Sequence, residues 1–246
     1  MTFVSELEQG ILSHDLIAML KSSSQQSYKA QLSDIAQSHH DNTIMGMSIE
    51  SPSGIYHPDI ASSSQLFIRS ILSDRRDTPY DYALDVGCGS GVIGLTLAKL
   101  RLAKTIAMVD IDEKAVETTW RNIRNNNEHL SDATVHVWQS DLFEYVSGGD
   151  YNCILFNMPL KHSAPQTEHE STLCDEGAQI SRRFFEQAIW KLNEQGDLWF
   201  SYSNLSCPFL LKDVASSFHL KLMRSEMSHV TGVCKFIFKA RLKSKS

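Results

Sequence analysis

No run of about 18 apolar residues occurs in this 246-residue sequence, so no membrane-spanning helix is expected. The opening residues, MTFVSELEQGILSHDL, carry acids early and lack a basic stretch ahead of an apolar one; a secretory leader is not expected. Basic charge is in deficit. The net charge of -6 weighs against free nucleic acid as a partner, because such binding rests on basic patches. Only the tail, KFIFKARLKSKS, is locally basic, and its last residues read as a solvated chain end. The 5 cysteines (Cys88, Cys153, Cys174, Cys207 and Cys234) form no C-x-x-C pair and are odd in number. A disulfide framework and a structural zinc are therefore not expected, and a reduced, cytoplasmic chain is. Internal repeats, long low-complexity segments and a G-x-x-x-x-G-K-[ST] phosphate loop are also lacking.

What is present falls into two regimes. Residues 1–65 are polar, rich in Ser and Gln, and read as a small N-terminal cap; residues 66–246 read as the main domain. In the cap, Phe3, Val4, Leu7, Ile11 and Leu12, then Leu16, Met19 and Leu20, fit one helix face. A second short helix is expected near Ala30–Gln37, a strand in TIMGMSIE, and a loop in SPSGIYHPD. Ser62, Ser63 and Ser64 open a helix. From there strands alternate with helices: YALDVG, TIAMVD, TVHVWQ, YNCILFN and GDLWFSYS are strands. Between them, EKAVETTWRNIRNNN is a helix with Val116, Trp120 and Ile123 on one face, and QISRRFFEQAIWKL a helix with Phe184 and Phe185 facing inward. A further helix lies around Leu210–Ser217. LKLMRSEM and GVCKFIFKAR follow with no helix between them, which makes an antiparallel hairpin at one sheet edge. The fold class is α/β, a doubly wound and mostly parallel sheet.

The stretch ALDVGCGSGVIGLTLAKL, Ala83 to Leu100, runs from strand to helix through Gly87, Cys88, Gly89, Ser90 and Gly91. Bare backbone there permits a sharp turn and the close approach of a ligand, and the following helix offers unpaired N–H groups. Val92 stands where the G-x-G-x-x-G dinucleotide fingerprint requires its third glycine. Taken alone, the pattern also describes a tight turn with no ligand. Asp85, Asp110 and Asp141 each lie at or just past the end of a strand. Asp110, some 20 residues past the glycines, suits the two hydroxyls of a ribose. Asp112 reads as ribose ligand or as N-cap of the next helix. Asp141 reads as acceptor for an exocyclic adenine amine or as an ordinary loop acid. Three carboxylates suit a nucleoside with a cationic arm better than a pyrophosphate.

In order and spacing, LDVGCGSGVIG, MVDIDEKAVETTWRN, VHVWQSDLFE and CILFNMPL resemble the successive motifs of class I S-adenosylmethionine-dependent methyltransferases over about Gly54–Arg241. The resemblance implies a seven-stranded sheet with its last strand reversed and S-adenosylmethionine as cofactor. It also implies that Asp85 and the loop Gly87–Gly91 hold the methionine end, that Asp110 binds the ribose, that Ile111 packs on the adenine, and that Asp141 and Leu142 meet the adenine edge. FNMPLKH, Phe156–His162, resembles the N-P-P-[YF] motif of enzymes that methylate amide-like or aniline-like nitrogens, glutamine and nucleobase enzymes among them. By that resemblance Asn157 and the Met158 carbonyl accept hydrogen bonds from the acceptor nitrogen, and Pro159 stiffens the loop. The plain alternative is a loop-forming Asn with no catalytic task.

Two departures stand out: Met158 replaces the first proline, and Leu160 the aromatic residue that stacks on a nucleobase. These point to a divergent N-methyltransferase acting on a small molecule, peptide or protein side chain. The alternatives are an RNA nucleobase enzyme, supported if Arg182, Arg183 and the tail form a basic patch, and a non-catalytic cofactor-binding partner subunit. The polar loop KHSAPQTEHESTLCDEG is a candidate lid. No metal is expected, since nothing fixes the spacing of His162, Glu168 and His169. His162 is either the proton acceptor or a solvated histidine. Tyr56, His57 and Leu160 are candidate substrate-binding residues, with packing as the alternative for the first two. The N-terminal residues are a candidate pocket cap or dimer contact.

Overall fold

The computed structural model describes residues 3–10, 40–58, 62–74, 78–130, 132–166, 170, 172–227 and 233–244. Ile11, Leu12, Leu16, Met19, Leu20, the helix expected at Ala30–Gln37, and Glu168 and His169 lie outside the described residues. The elements are α1 (Phe3–Glu8), β1 (His40–Ile44), β2 (Met47–Ser51), α2 (Ser63–Ser73), β3 (Tyr80–Val86), α3 (Val92–Lys99), β4 (Ala103–Asp110) and α4 (Glu113–Asn125). They continue with β5 (Thr134–Gln139), β6 (Tyr151–Phe156), α5 (Gln179–Lys191), β7 (Leu192–Ser203), α6 (Leu210–Ser217), β8 (Phe218–Met227) and β9 (Cys234–Leu242).

Seven strands form one sheet in the order β5-β4-β3-β6-β7-β9-β8. Pairing is parallel from β5 to β7, while β9 runs antiparallel to both β7 and β8. The expected reversed strand is thus the last one, and it lies between β7 and the edge. The chain winds one way from β3 through β4 to β5 and the other way from β6 to β7, so the crevice beyond the carboxyl ends of β3 and β6 is the switch point where doubly wound sheets bind ligands.

Apolar packing covers both faces. On one, Phe184 and Phe185 of α5, Leu210, Leu211 and Val214 of α6 and Leu7 of α1 bury against Phe200, Phe218 and Phe238. Phe185 meets Phe200 edge-on with ring centroids 5.0 Å apart, and Phe200 stacks on Phe238 at 5.2 Å. Removing one such ring costs about 3–5 kcal/mol. On the other face, Leu66 and Phe67 of α2 and Leu95 and Leu97 of α3 join Met47 and Ile49 of the β1–β2 hairpin. Among the described residues no helix is long and apolar enough to cross a membrane.

One local expectation needs correction. TIMGMSIE is not one strand: Met45 and Gly46 take φ values of 51° and 75°, the left-handed pair of a tight hairpin turn, and fold it into β1 and β2. In α4 the buried face is Ala115, Thr118, Thr119 and Asn122, while Trp120 stays 41% exposed and Val116 and Ile123 are only partly covered. The polar residues face inward because neighbouring backbone groups need their hydrogen bonds. The helix starts agree with the sequence: Ser62 caps α2 through the Gln65 N–H, and Asp112 caps α4 through the Lys114 N–H. All five cysteines are free.

Candidate functional site

The chain leaves β3 through Gly87–Gly91 and enters α3 at Val92. All three glycines have positive φ (63°, 57° and 77°), the region that disfavours side chains. At Gly91 there is also no room, since a Cβ would lie 2.7 Å from Cγ2 of Thr119. The loop is held from three sides. The Cys88 N–H donates to the Val109 carbonyl (3.0 Å), Oγ1 of Thr119 to the Gly89 carbonyl (2.9 Å), and Nδ2 of Asn122 to the Ser90 carbonyl (2.9 Å).

Asp110, at the end of β4, anchors this loop. Its Oδ2 accepts from the Gly89 N–H (2.9 Å) and its Oδ1 from the Asp112 N–H (3.0 Å). Burial raises its pKa, with those N–H groups pulling the other way. Cys88 is 7% exposed, and burial, reinforced by Asp110 and Asp85, pushes its thiol up. It therefore packs as an inert group, not as a nucleophile.

At the end of β6, Asn157 donates from Nδ2 to Oγ of Ser64 (3.3 Å), while its buried Oδ1 has no hydrogen-bond partner. A buried carbonyl oxygen left without a donor among the described residues calls for a partner the chain does not supply. The Met158 carbonyl receives only a long contact from Oγ of Ser201 (3.5 Å), and the Leu160 carbonyl is held by Oγ of Ser203 (2.5 Å). Serines of β7 thus fasten the loop in which one of the motif's two prolines is missing.

A cavity of about 760 Å³ joins these parts. That volume falls within the roughly 300–1,000 Å³ of small-molecule sites. Gly87, Cys88, Gly89 and Ser90 form its floor, Asp110, Ile111, Asp141 and Leu142 one wall, and Asn157, Met158, Pro159 and Leu160 the other. Tyr56 lines it from the segment after β2; its hydroxyl accepts from the N–H and Oγ of Ser63, and its ring belongs to a small apolar cluster with Leu160 and Leu173. Asp141 pairs with Arg183 at 2.8 Å.

Four of the expected site residues are not in this lining. Asp85 is 1% exposed behind the loop, where its Oδ2 accepts from the Gly94 N–H (2.9 Å) and so ties down the first turn of α3. Gly91 is the N-cap of α3, packed on Thr119. His57 is buried outside the cavity, and His162 is exposed, with its N–H on the Leu205 carbonyl. The sequence reading missed Ile55, Ser64, Lys114, Thr172 and Leu173, which do line the cavity. Ser64 was legible only as a helix opener. Ile55 comes from the segment after β2 beside Tyr56, Lys114 from α4, and Thr172 and Leu173 from the loop before α5; no local pattern encodes that these meet.

Residues 46–226 match the model of the family described as methyltransferase small domain. A putative protein N5-glutamine methyltransferase from Methanocaldococcus jannaschii is 30% identical over 151 residues, 61% of this chain and 70% of that protein. A ribosomal RNA small subunit methyltransferase C from Chromohalobacter salexigens is 33% identical over 115 residues, 46% of this chain and 32% of that protein. The chain spans half or less of the length of other curated relatives, 49% and 45% in two cases. Among solved structures, a methyltransferase from Pyrococcus furiosus superposes with a TM-score of 0.56 at 19% identity, covering 87% of this chain and 96% of that one.

Proposed function

The chain belongs to the methyltransferase small domain family, and from that premise we propose that it transfers a methyl group from S-adenosylmethionine to a planar, uncharged nitrogen, the side-chain amide of a peptide or protein being the acceptor that fits best. The observation that carries this reading is the unpartnered Oδ1 of Asn157, which shares one cavity with the glycine loop and Asp110.

The residues present fit the cofactor. Gly89 leaves room for close approach, a Cβ there meeting only Ile55 at 4.0 Å. The Asp110 carboxylate keeps a lone pair on each oxygen for the ribose hydroxyls, and Ile111, 63% exposed on the cavity wall, offers an apolar surface to the adenine. When bound, S-adenosylmethionine supplies an electrophilic methyl group. The chain's own part is placement. Asn157 Oδ1 and the Met158 carbonyl accept the two N–H groups of the acceptor, orient its lone pair, and stabilise the positive charge that develops on nitrogen. Transfer would break the S–CH3 bond as the N–CH3 bond forms, with release of S-adenosylhomocysteine, and the nitrogen, acidic once methylated, would give one N–H proton to water without a strong base.

Tyr56, Ser63, Ser64, Leu160, Thr172 and Leu173 line the cavity without charge, and Arg183, which also lines it, is paired with Asp141; such surroundings suit an amide better than an anion. The RNA reading asked for a free basic patch. Arg182 pairs with Asp213, Arg183 with Asp141, Lys239 with Asp74 and Arg241 with Asp197. The matched glutamine relative fits this reading and the matched ribosomal RNA relative fits the alternative, so the acceptor class rests on the labelling test.

The test is methyl-labelled S-adenosylmethionine against fractionated peptides, proteins and RNA. Label in protein that survives nuclease supports the reading; label confined to RNA sinks it. Asn157→Ala should keep affinity for S-adenosylhomocysteine and lose roughly 10- to 150-fold in turnover, the worth of one hydrogen bond to a charged group. Normal turnover by that variant refutes the positioning role.

A further inference from the structure

Asn122 sits on the inward face of α4, fully buried, and every hydrogen-bonding group of its amide that the geometry engages is spent on backbone. Its Oδ1 accepts from the Glu50 N–H (2.9 Å), and its Nδ2 donates to the Glu50 carbonyl (3.0 Å) and to the Ser90 carbonyl (2.9 Å). Glu50 is in β2, whose chain runs on through Ser53, Gly54, Ile55 and Tyr56, all of which line the cavity. Ser90 is in the glycine floor. One side chain thus holds both the strand that leads into the cavity's roof and the loop that makes its floor.

One helical turn further on, Asn126 makes the same two-way clasp on the same strand: its Oδ1 accepts from the Ser48 N–H (2.9 Å), and its Nδ2 donates to the Ser48 carbonyl (2.8 Å). Its remaining bond stays within α4, to the Asn122 carbonyl (2.8 Å). The two asparagines therefore act together as a substitute neighbouring strand for β2, and they differ in one respect: only Asn122 reaches the glycine loop.

We propose that Asn122 is a positioning residue for the cofactor, fixing roof to floor across the cavity, so that S-adenosylmethionine affinity depends on it while the hairpin's attachment is shared with Asn126. The inference rests on the reading of this cavity as a cofactor site. It needs no knowledge of the acceptor. Loss of the Ser90 bond removes one of the three ties that hold the glycine loop against its neighbours, so part of the binding free energy must then go into ordering it.

The experiment is isothermal titration of the full chain, its Asn122→Ala variant and its Asn126→Ala variant with S-adenosylhomocysteine, with thermal unfolding of all three. Both variants should lose comparable stability, since each gives up a backbone clasp on β2. Asn122→Ala should bind about tenfold more weakly, the worth of roughly one hydrogen bond, and Asn126→Ala should bind as the parent does. Equal affinities for the two variants, whether both weakened or both unchanged, overturn the positioning role and leave the cofactor reading standing. Failure of the parent chain to bind overturns both. If Asn122→Ala does not fold, Asn122→Ser serves instead, because it buries no charge and its short side chain still gives up the bond to Ser90; it carries the same expected weakening and the same refutation.

Discussion

Replacing Asp85 by Asn should make the protein more stable, by a margin that grows from pH 5 to pH 8. Asp85 is 1% exposed, and its one hydrogen bond is from the Gly94 N–H. Burial raises its pKa from the ordinary 3.8 to about 7; the Gly94 N–H opposes this and the charge of Asp110 adds to it. An unfolded chain ionises this carboxyl near 3.8, whereas the folded chain keeps the proton up to about 7. Between those values the folded state binds more protons, so stability falls as pH rises, and above about 7 the loss is complete. Three decades of proton affinity at about 1.36 kcal/mol each set a ceiling of roughly 4 kcal/mol. Asn is nearly isosteric and can still accept from Gly94. Urea denaturation of parent and variant at pH 5, 6, 7 and 8 gives the difference directly. The variant's advantage should grow with pH, reaching about 2–4 kcal/mol at pH 8. A difference that stays flat across that range would show that Asp85 is already ionised in the folded chain, and the reasoning would be wrong.

Other expectations follow from the same geometry. Asp110→Ala removes the anchor of the Gly89 N–H together with the acceptor for the ribose, and should weaken S-adenosylhomocysteine binding by roughly 100-fold or more, two charged hydrogen bonds at about 1.5–3 kcal/mol each; calorimetry that finds less than a tenfold change argues against ribose binding there. Asp197 accepts from Tyr80 Oη (2.8 Å) and Arg241 Nε (2.7 Å) and pairs with Lys239 (3.1 Å), its side chain 1% exposed. Although burial pushes its pKa up, these partners hold it below the ordinary value. Asp197→Ala should cost about 1–3 kcal/mol at neutral pH, mainly by removing the acceptor of the buried Tyr80 hydroxyl, since Arg241 is largely exposed and Lys239 keeps Asp74. That loss should shrink as pH falls through the carboxylate range and the parent's own Asp197 takes up a proton; a loss that does not change with pH would contradict the ion-pair account.

The order of elements, the reversed last strand and the two loops at the switch point were all legible, because each depends on local pattern: alternation of strand and helix, bare glycines after an apolar run, Asn-x-Pro after another. What was not legible depended on partners far along the chain. Asp85 precedes the glycines, but that the Gly94 N–H of α3 folds back onto its carboxyl shows only in the fold. The apolar positions of α4 gave no sign that Thr119 and Asn122 are drawn in by carbonyls of the glycine loop and of a hairpin whose turn at Met45–Gly46 was itself missed. Ser64 reaches Asn157 from 93 positions away. His162 follows the Asn157 loop closely in sequence, yet the backbone carries it out to solvent.

The central claim is that the glycine loop, Asp110 and Asn157 enclose a seat for a sulfonium nucleoside. A crystal structure of the chain with S-adenosylhomocysteine tests it most directly. The account predicts a ribose on the Asp110 carboxylate, an adenine against Ile111 and Leu142, and sulfur directed toward Asn157. A ligand found elsewhere on the surface, or a cavity that takes a nicotinamide dinucleotide in its place, would contradict it.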